Sequence, residues 1–223
     1  AEQYYDKALE TFINTNTPEK NFLAMCYIYA ANNLLELGKF TKAAGLLREA
    51  EGILNESPQA NFKSHFFYVM GEYYFFQKQF ENALKNYDLG FKYLNETNNE
   101  YLILSLNISK GEALYELKRY NESYNILSKL YAKTKLPALH RVNFYRVYAN
   151  TLEKLKKYDE ALNIAKLLAK LEDSLDSEIN DKNILELEAK YQNAENEKKI
   201  TALESEKELA ELSANNNRLY NWL

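Results

Sequence analysis

The side chains best suited to chemistry are few in kind and widely scattered in this sequence. Among its 223 residues the chain has two histidines, His65 and His140, and one cysteine, Cys26. The histidines form no His-x-x-x-His pair, Cys26 has no Cys-x-x-Cys partner, and a Gly-rich phosphate loop is lacking. Cys26 lies in an apolar stretch and is best interpreted as a small core residue. We therefore expect this segment to be no enzyme and to hold no metal and no cofactor.

Carboxylates are the most numerous reactive groups, but their pattern favours solvated helix surfaces. The chain has 32 acidic and 28 Lys and Arg residues, and its net charge is -4. Acids at i, i+4 spacing on helices are far more often solvated than paired for acid/base catalysis. Every basic cluster contains interleaved acids, so the counterion release that drives nucleic-acid binding is missing. We expect no direct nucleic-acid partner, and function must then lie in binding surfaces.

The elements that position such surfaces follow from an internal repeat. A small residue is followed by an aromatic residue nine positions later and by a second small residue three beyond that. An apolar residue also follows the first small residue by three positions, on the same helical face, and another by sixteen. The four copies, 40, 40 and 38 residues apart, are Ala31/Phe40/Ala43, Gly71/Phe80/Ala83, Gly111/Tyr120/Ser123 and Ala149/Tyr158/Ala161.

Each copy predicts a helical hairpin, because only a short hinge such as Leu37-Gly38-Lys39 separates its two apolar halves. One hairpin cannot cover its own apolar face, so the hairpins must stack. With only six Gly and three Pro in the chain, we predict an all-α fold. The predicted helices span about 19–37, 40–55, 60–77, 80–96, 99–117, 120–133, 138–156 and 158–172.

The repeated signature resembles the tetratricopeptide repeat (TPR) family over roughly residues 20 to 172. The resemblance implies a right-handed superhelix of about four hairpins, preceded by a half-repeat at 1–16, within an array covering 1–172. The period exceeds the usual 34 residues of the family, and the third copy has Asn107 and Lys110 where apolar residues are expected. The half-repeat either caps the array or is what remains of an earlier unit. The predicted repeats span about 19–57, 59–97, 99–135 and 138–172.

The first helices of such an array line its concave side, so polar residues just off their packed faces predict a binding groove. Asn side chains can pair with a peptide backbone, aromatic rings supply contact area, and Glu72 and Glu112 favour a cationic group. Only Arg146 and Asn150 fit the carboxylate clamp of the family's chaperone-tail binders. We expect an extended peptide or protein segment as ligand, the alternative being that these residues merely solvate an open face. The predicted groove residues are Asn32, Tyr68, Glu72, Phe75, Glu112, Tyr115, Arg146 and Asn150.

Residues 173–223 lack the repeat signature and predict a long C-terminal helix. Its apolar residues are spaced 3-4-3, as on a coiled-coil seam, which predicts a possible parallel homodimer. Lys198 and Lys207 interrupt the seam, whereas pairs such as Glu186/Lys190 support a solvated helix. The predicted seam residues are Ile184, Leu187, Tyr191 and Ala194.

The tail is also similar to the juxtamembrane helix of bacterial sensors with extracytoplasmic TPR arrays. The similarity rests on Glu172-Asp173-Ser174-Leu175, on 188–192, on 197–204 and on Trp222-Leu223. It implies a sensor domain of a membrane-anchored histidine kinase or transcriptional regulator, located outside the cytoplasm, with a membrane just after Leu223 and Trp222 at its interface. The alternatives are a cytoplasmic peptide-pheromone receptor or a TPR scaffold for assembling protein complexes. The sequence identifies neither the ligand nor the output module.

Overall fold

The computed structural model describes residues 20–56, 60–94, 100–133, 138–171 and 177–220, and these ranges contain nine helices and no strand. The prediction of an all-α fold is therefore confirmed. The predicted half-repeat at 1–16 and Trp222 lie outside the described residues. The helices are α1 (Lys20–Glu36), α2 (Phe40–Glu56), α3 (Ala60–Phe76), α4 (Phe80–Lys92), α5 (Glu100–Glu116), α6 (Tyr120–Lys133), α7 (Ala138–Lys154), α8 (Tyr158–Ala169) and α9 (Ser177–Tyr220).

The hinge inside each hairpin is a left-handed C-terminal cap. Its central residue has a positive φ: 71° at Gly38, 59° at Lys78, 61° at Lys118 and 58° at Lys156. The next N–H donates back to the apolar residue that follows the small residue by three, for example from Gln79 N to Tyr74 O at 2.9 Å. These are the bonds of a Schellman motif, which satisfies the last carbonyls of the first helix. The second helix then begins at once, at the repeated aromatic residue.

The chain divides into two compact units, Ala1–Thr151 and Leu152–Leu223. In the first unit, α1 pairs with α2, α3 with α4 and α5 with α6 as helical hairpins, and neighbouring hairpins pack in sequence order. In the second unit, α8 packs against α9. No helix in the described ranges is long and apolar enough to cross a membrane.

The small residue of the signature allows the two helices of a hairpin to approach closely. A Cβ added to Gly71 would lie 2.2 Å from Cε1 of Tyr87, and one added to Gly111 would lie 2.9 Å from Cδ2 of Leu127. Tyr87 and Leu127 stand sixteen residues after these glycines, and both are fully buried. The small residue and the sixteenth residue after it are thus packing partners across the hairpin.

The polar departures of the third copy have local partners. Asn107 Nδ2 donates to Ile103 O at 2.7 Å, one turn earlier in α5. Lys110 Nζ pairs with the Asp88 carboxylate and lies 5.8 Å from the centre of the Phe91 ring. Because both contacts of Lys110 are with α4, this lysine joins two successive hairpins.

We predict that Gly71→Ala lowers the free energy of unfolding by about 1 to 3 kcal/mol, because its methyl group would overlap the fully buried Tyr87 ring. The matched control is Gly45→Ala in α2, where an added Cβ meets nothing within 4 Å. This control should raise stability by roughly 0.5 to 1 kcal/mol, through helix propensity and a less flexible unfolded chain. Urea unfolding followed by circular dichroism measures both. Equal stability of the two variants would contradict the close-packing interpretation.

Candidate functional site

A cavity of about 580 Å³ lies in the first compact unit, lined by the first helices of successive hairpins. We call it the four-helix cavity, because its lining residues belong to α1, α3, α5 and α7. The lining mixes aromatic, imidazole, amide, hydroxyl and carboxylate groups, and no Lys or Arg is among its described residues. Those that carry the argument below are Asn32, His65, Tyr68, Glu72, Ser105 and His140.

Three predicted groove residues, Asn32, Tyr68 and Glu72, line this cavity. Glu112 lies beside it, because its Oε2 accepts a long hydrogen bond of 3.5 Å from the lining residue Asn143. The structure thus brings the two predicted carboxylates near one cavity.

The other four predicted groove residues lie elsewhere. Phe75 and Tyr115 contact the repeated aromatic residues that follow them, with ring centres 5.3 Å from Phe80 and 5.5 Å from Tyr120. Arg146 and Asn150 are exposed on α7, and the charge of Arg146 favours the charged form of Glu112.

Sequence reasoning missed a row of cavity residues six positions before the small residue. His65, Ser105 and Asn143 hold this position in the second, third and fourth copies, and all three line the cavity. The signal was present in the sequence, because this position lies seven residues, or two helical turns, before the row containing Glu72.

Both histidines also line this cavity, although 75 residues separate them in sequence. Nε2 of His65 lies 3.4 Å from the Tyr29 hydroxyl, and Nε2 of His140 lies 3.0 Å from Oγ of Ser105. Nδ1 of His140 is buried and has no hydrogen-bond partner among the described residues. The Ser105–His140 pair therefore lacks the orienting group of a nucleophilic triad.

The Glu72 carboxyl group is the electrostatic centre of the cavity. The buried Tyr87 hydroxyl donates to its Oε1 at 2.7 Å. Burial raises the pKa of Glu72 to about 7, and repulsion from Glu112 and Glu36 acts in the same direction, while hydrogen bonds from Tyr87 and Ser109 oppose it. Glu72 is therefore close to half protonated at neutral pH.

The pKa values of the surrounding titratable groups are also shifted in the direction that favours the uncharged form. Burial raises the pKa of Tyr68 and of Tyr87 well above the usual value, and the neighbouring Glu72 charge adds to both shifts. Burial raises the pKa of Glu112 as well, against the opposing effects of Asn143 and Arg146. Burial lowers the pKa of His140. These shifts favour the uncharged forms, and Glu36, which also lines the cavity, adds a further carboxylate.

The predicted seam of the long helix α9 lies in the second unit. Leu187 is buried there, and Ile184, Tyr191 and Ala194 are partly buried. Glu188 pairs with Lys166 of α8 at 2.9 Å, so this part of α9 packs along α8. Residues 196–209 are all exposed, and Ile200, Leu203 and Leu209 are among them.

No protein-family model and no curated protein matches this chain. The function is therefore inferred from the residues and from the geometry of the cavity.

We predict that stability falls as pH rises towards neutrality because of Glu72. Its pKa is about 7 in the folded chain against an ordinary value of 4.5, so between these pH values the folded state binds more protons than the unfolded state. The free energy of unfolding should fall by roughly 3 kcal/mol across this window and then level off. Chemical unfolding of wild type and Glu72→Gln from pH 4 to 8.5 measures the difference.

Glu72→Gln should lack this decline and be the more stable protein above pH 7. Tyr87→Phe should move the midpoint of the decline to higher pH, because its lost hydrogen bond favours the charged carboxylate. The exposed Glu51→Gln is the matched control and should follow the wild type. Parallel pH profiles for wild type and Glu72→Gln would overturn this account of the site.

Proposed function

We propose that this chain is a non-enzymatic TPR array that binds an extended peptide or protein segment, in the sensor region of a bacterial signal-transduction protein. The observation that supports it most directly is the four-helix cavity, to which each hairpin contributes from its first helix. Residues at equal offsets from the repeated small residue, such as Asn32 and Glu72, meet there. A ligand crossing successive first helices would contact the residue at this offset in each hairpin that it crosses.

The chemistry of the lining favours a peptide as ligand. Tyr29, Tyr68 and Tyr101 offer aromatic surface, and Asn32 and Asn143 offer amides that can both donate to and accept from a peptide backbone. An anionic ligand is disfavoured, because carboxylates and no described Lys or Arg line the cavity. The arrangement lacks an oriented nucleophile, which supports binding rather than catalysis.

We further propose that α9 relays binding to an output module, a histidine kinase or a transcriptional regulator, across a membrane following Leu223. This helix has 44 residues and would be about 66 Å long. Ligand binding can act only through different affinities for two states, so α9 must have two arrangements, for instance paired and unpaired with a second copy. On this proposal the array lies outside the cytoplasm.

Peptide binding is tested with a pool of capped, extended peptides titrated against wild type and a Glu72→Gln/Glu112→Gln variant. We expect the double variant to lose at least tenfold in affinity, because the carboxylates face the ligand. Glu49→Gln/Glu51→Gln, a pair of exposed positions on α2, makes the same charge change and should bind as wild type does. Equal binding by all three proteins would remove the cavity as the binding site.

The relay predicts a homodimer through α9, measured by sedimentation at increasing concentration. Leu209→Glu, which charges an exposed apolar position of α9, should give a monomer. Gln192 is an exposed polar position of the same helix, so Gln192→Glu serves as control and should remain dimeric. A wild type that stays monomeric at high concentration, with and without peptide, would contradict pairing of this helix.

A further inference from the structure

We infer that the segment bound in the four-helix cavity carries a Lys or Arg side chain that pairs with Glu72, and that its binding displaces a proton from this carboxyl group. The inference rests on the proposed function, since it specifies the ligand class of the same cavity.

The first support is the fixed position of Glu72. The Tyr87 hydroxyl donates to Oε1 at 2.7 Å, and Tyr87 is itself fully buried against Gly71. Ser109 is a second donor to this carboxylate. A carboxylate offers about four acceptor sites, so two donors orient the group and leave capacity for a third. Glu72 lines the cavity, and a ligand can reach it there.

The second support is the charge of the groups around Glu72. Glu36 of α1 and Glu112 of α5 repel it, and Tyr68 of α3 and Tyr87 of α4 are neutral. His65 of α3 and His140 of α7 line the same cavity, and burial lowers the pKa of His140, which favours its neutral form. The cation that acts on Glu112, Arg146, does so from an exposed position. A cationic ligand would therefore offset the repulsion among these carboxylates.

The third support is independent of the acids and indicates a peptide rather than a small cation. The lining amides of Asn32 and Asn143 can both donate to and accept from a peptide backbone, which a small cation lacks. The rings of Tyr101 and His140, 5.7 Å apart, and of Tyr29 and His65, 5.6 Å apart, offer surfaces for the aliphatic stem of a Lys or Arg.

The proton balance follows from the state of Glu72 before binding. Because its pKa is about 7, much of the free protein holds the proton at pH 6 and little holds it at pH 8. A paired cation favours the charged carboxylate, so the O–H proton leaves to solvent as the ion pair forms. Affinity for a cationic peptide should then rise about tenfold from pH 6 to pH 8.

A positional library of hexapeptides, acetylated and amidated at their ends, tests the ligand class without a known ligand. We expect wild type to retain peptides in which Lys or Arg is enriched at one position. Glu72→Gln should retain peptides without this enrichment, whereas Glu51→Gln should behave as wild type does. Because the peptide ends are capped, no peptide can be retained through a free amino terminus. A second library with uncapped ends tests that mode of recognition separately.

Retained peptides with no enrichment of Lys or Arg, or with the same enrichment in Glu72→Gln, would overturn the inference and leave the proposed function standing. No retained peptide at all would overturn the proposed function and the inference with it. For a retained Lys peptide, calorimetry in phosphate and in imidazole at pH 6.5 should show proton release in wild type only. The affinity of Glu72→Gln should stay within about twofold between pH 6 and 8, and a tenfold rise in this variant would assign the pH dependence to another group.

Discussion

The contact between Gly71 and Tyr87 is the packing constraint on which both the hairpin and its binding site depend. The glycine leaves room for the tyrosine ring, and an added Cβ would lie 2.2 Å from a ring carbon. The same ring carries its hydroxyl to the next residue of α3, where it donates to Glu72 at 2.7 Å. The contact that packs the two helices closely therefore also orients the carboxyl group of Glu72. In the third hairpin Leu127 fills the corresponding space, so the packing is shared and the polar contact is specific to the second hairpin.

This arrangement also explains why an acid can be tolerated in the wall of a packed array. An ionised carboxylate removed from water is expensive unless it is paired or hydrogen-bonded. Here two hydroxyl donors stabilise the charge, while burial and the neighbouring acids oppose it. The balance leaves a pKa of about 7 for Glu72, so the group can be neutral in the empty cavity and charged beside a cation. A residue that only stabilised the fold would be better replaced by an apolar one.

Much of the fold was predictable because the repeat encodes it in local spacing. The small residue, the apolar residue three later and the aromatic residue nine later together define where one helix ends and the next begins. What spacing does not reveal is the backbone of the hinge. Gly38 is an expected residue for positive φ, but Lys78, Lys118 and Lys156 adopt the same conformation at a cost of roughly 1 kcal/mol each. The Schellman hydrogen bonds and the packing of both flanking helices offset that cost, and neither is visible in the identity of a lysine.

The lining of the cavity was predicted only in part, because helical phase does not show which side chains of neighbouring hairpins come together. Phe75 was assigned to the groove by helical phase, yet its carbonyl accepts the N–H of Lys78 in the terminal cap, so its ring belongs to the end of α3 and packs on Phe80. His65 and His140 were set aside because they form no His-x-x-x-His pair, but stacking brings separate first helices to one cavity. Which side chains meet, as Ser105 and His140 do at 3.0 Å, depends on the stagger between neighbouring hairpins. Periodicity fixes the position of a residue within its own hairpin and carries no information about that stagger, so the composition of the cavity can be read only from the packed chain.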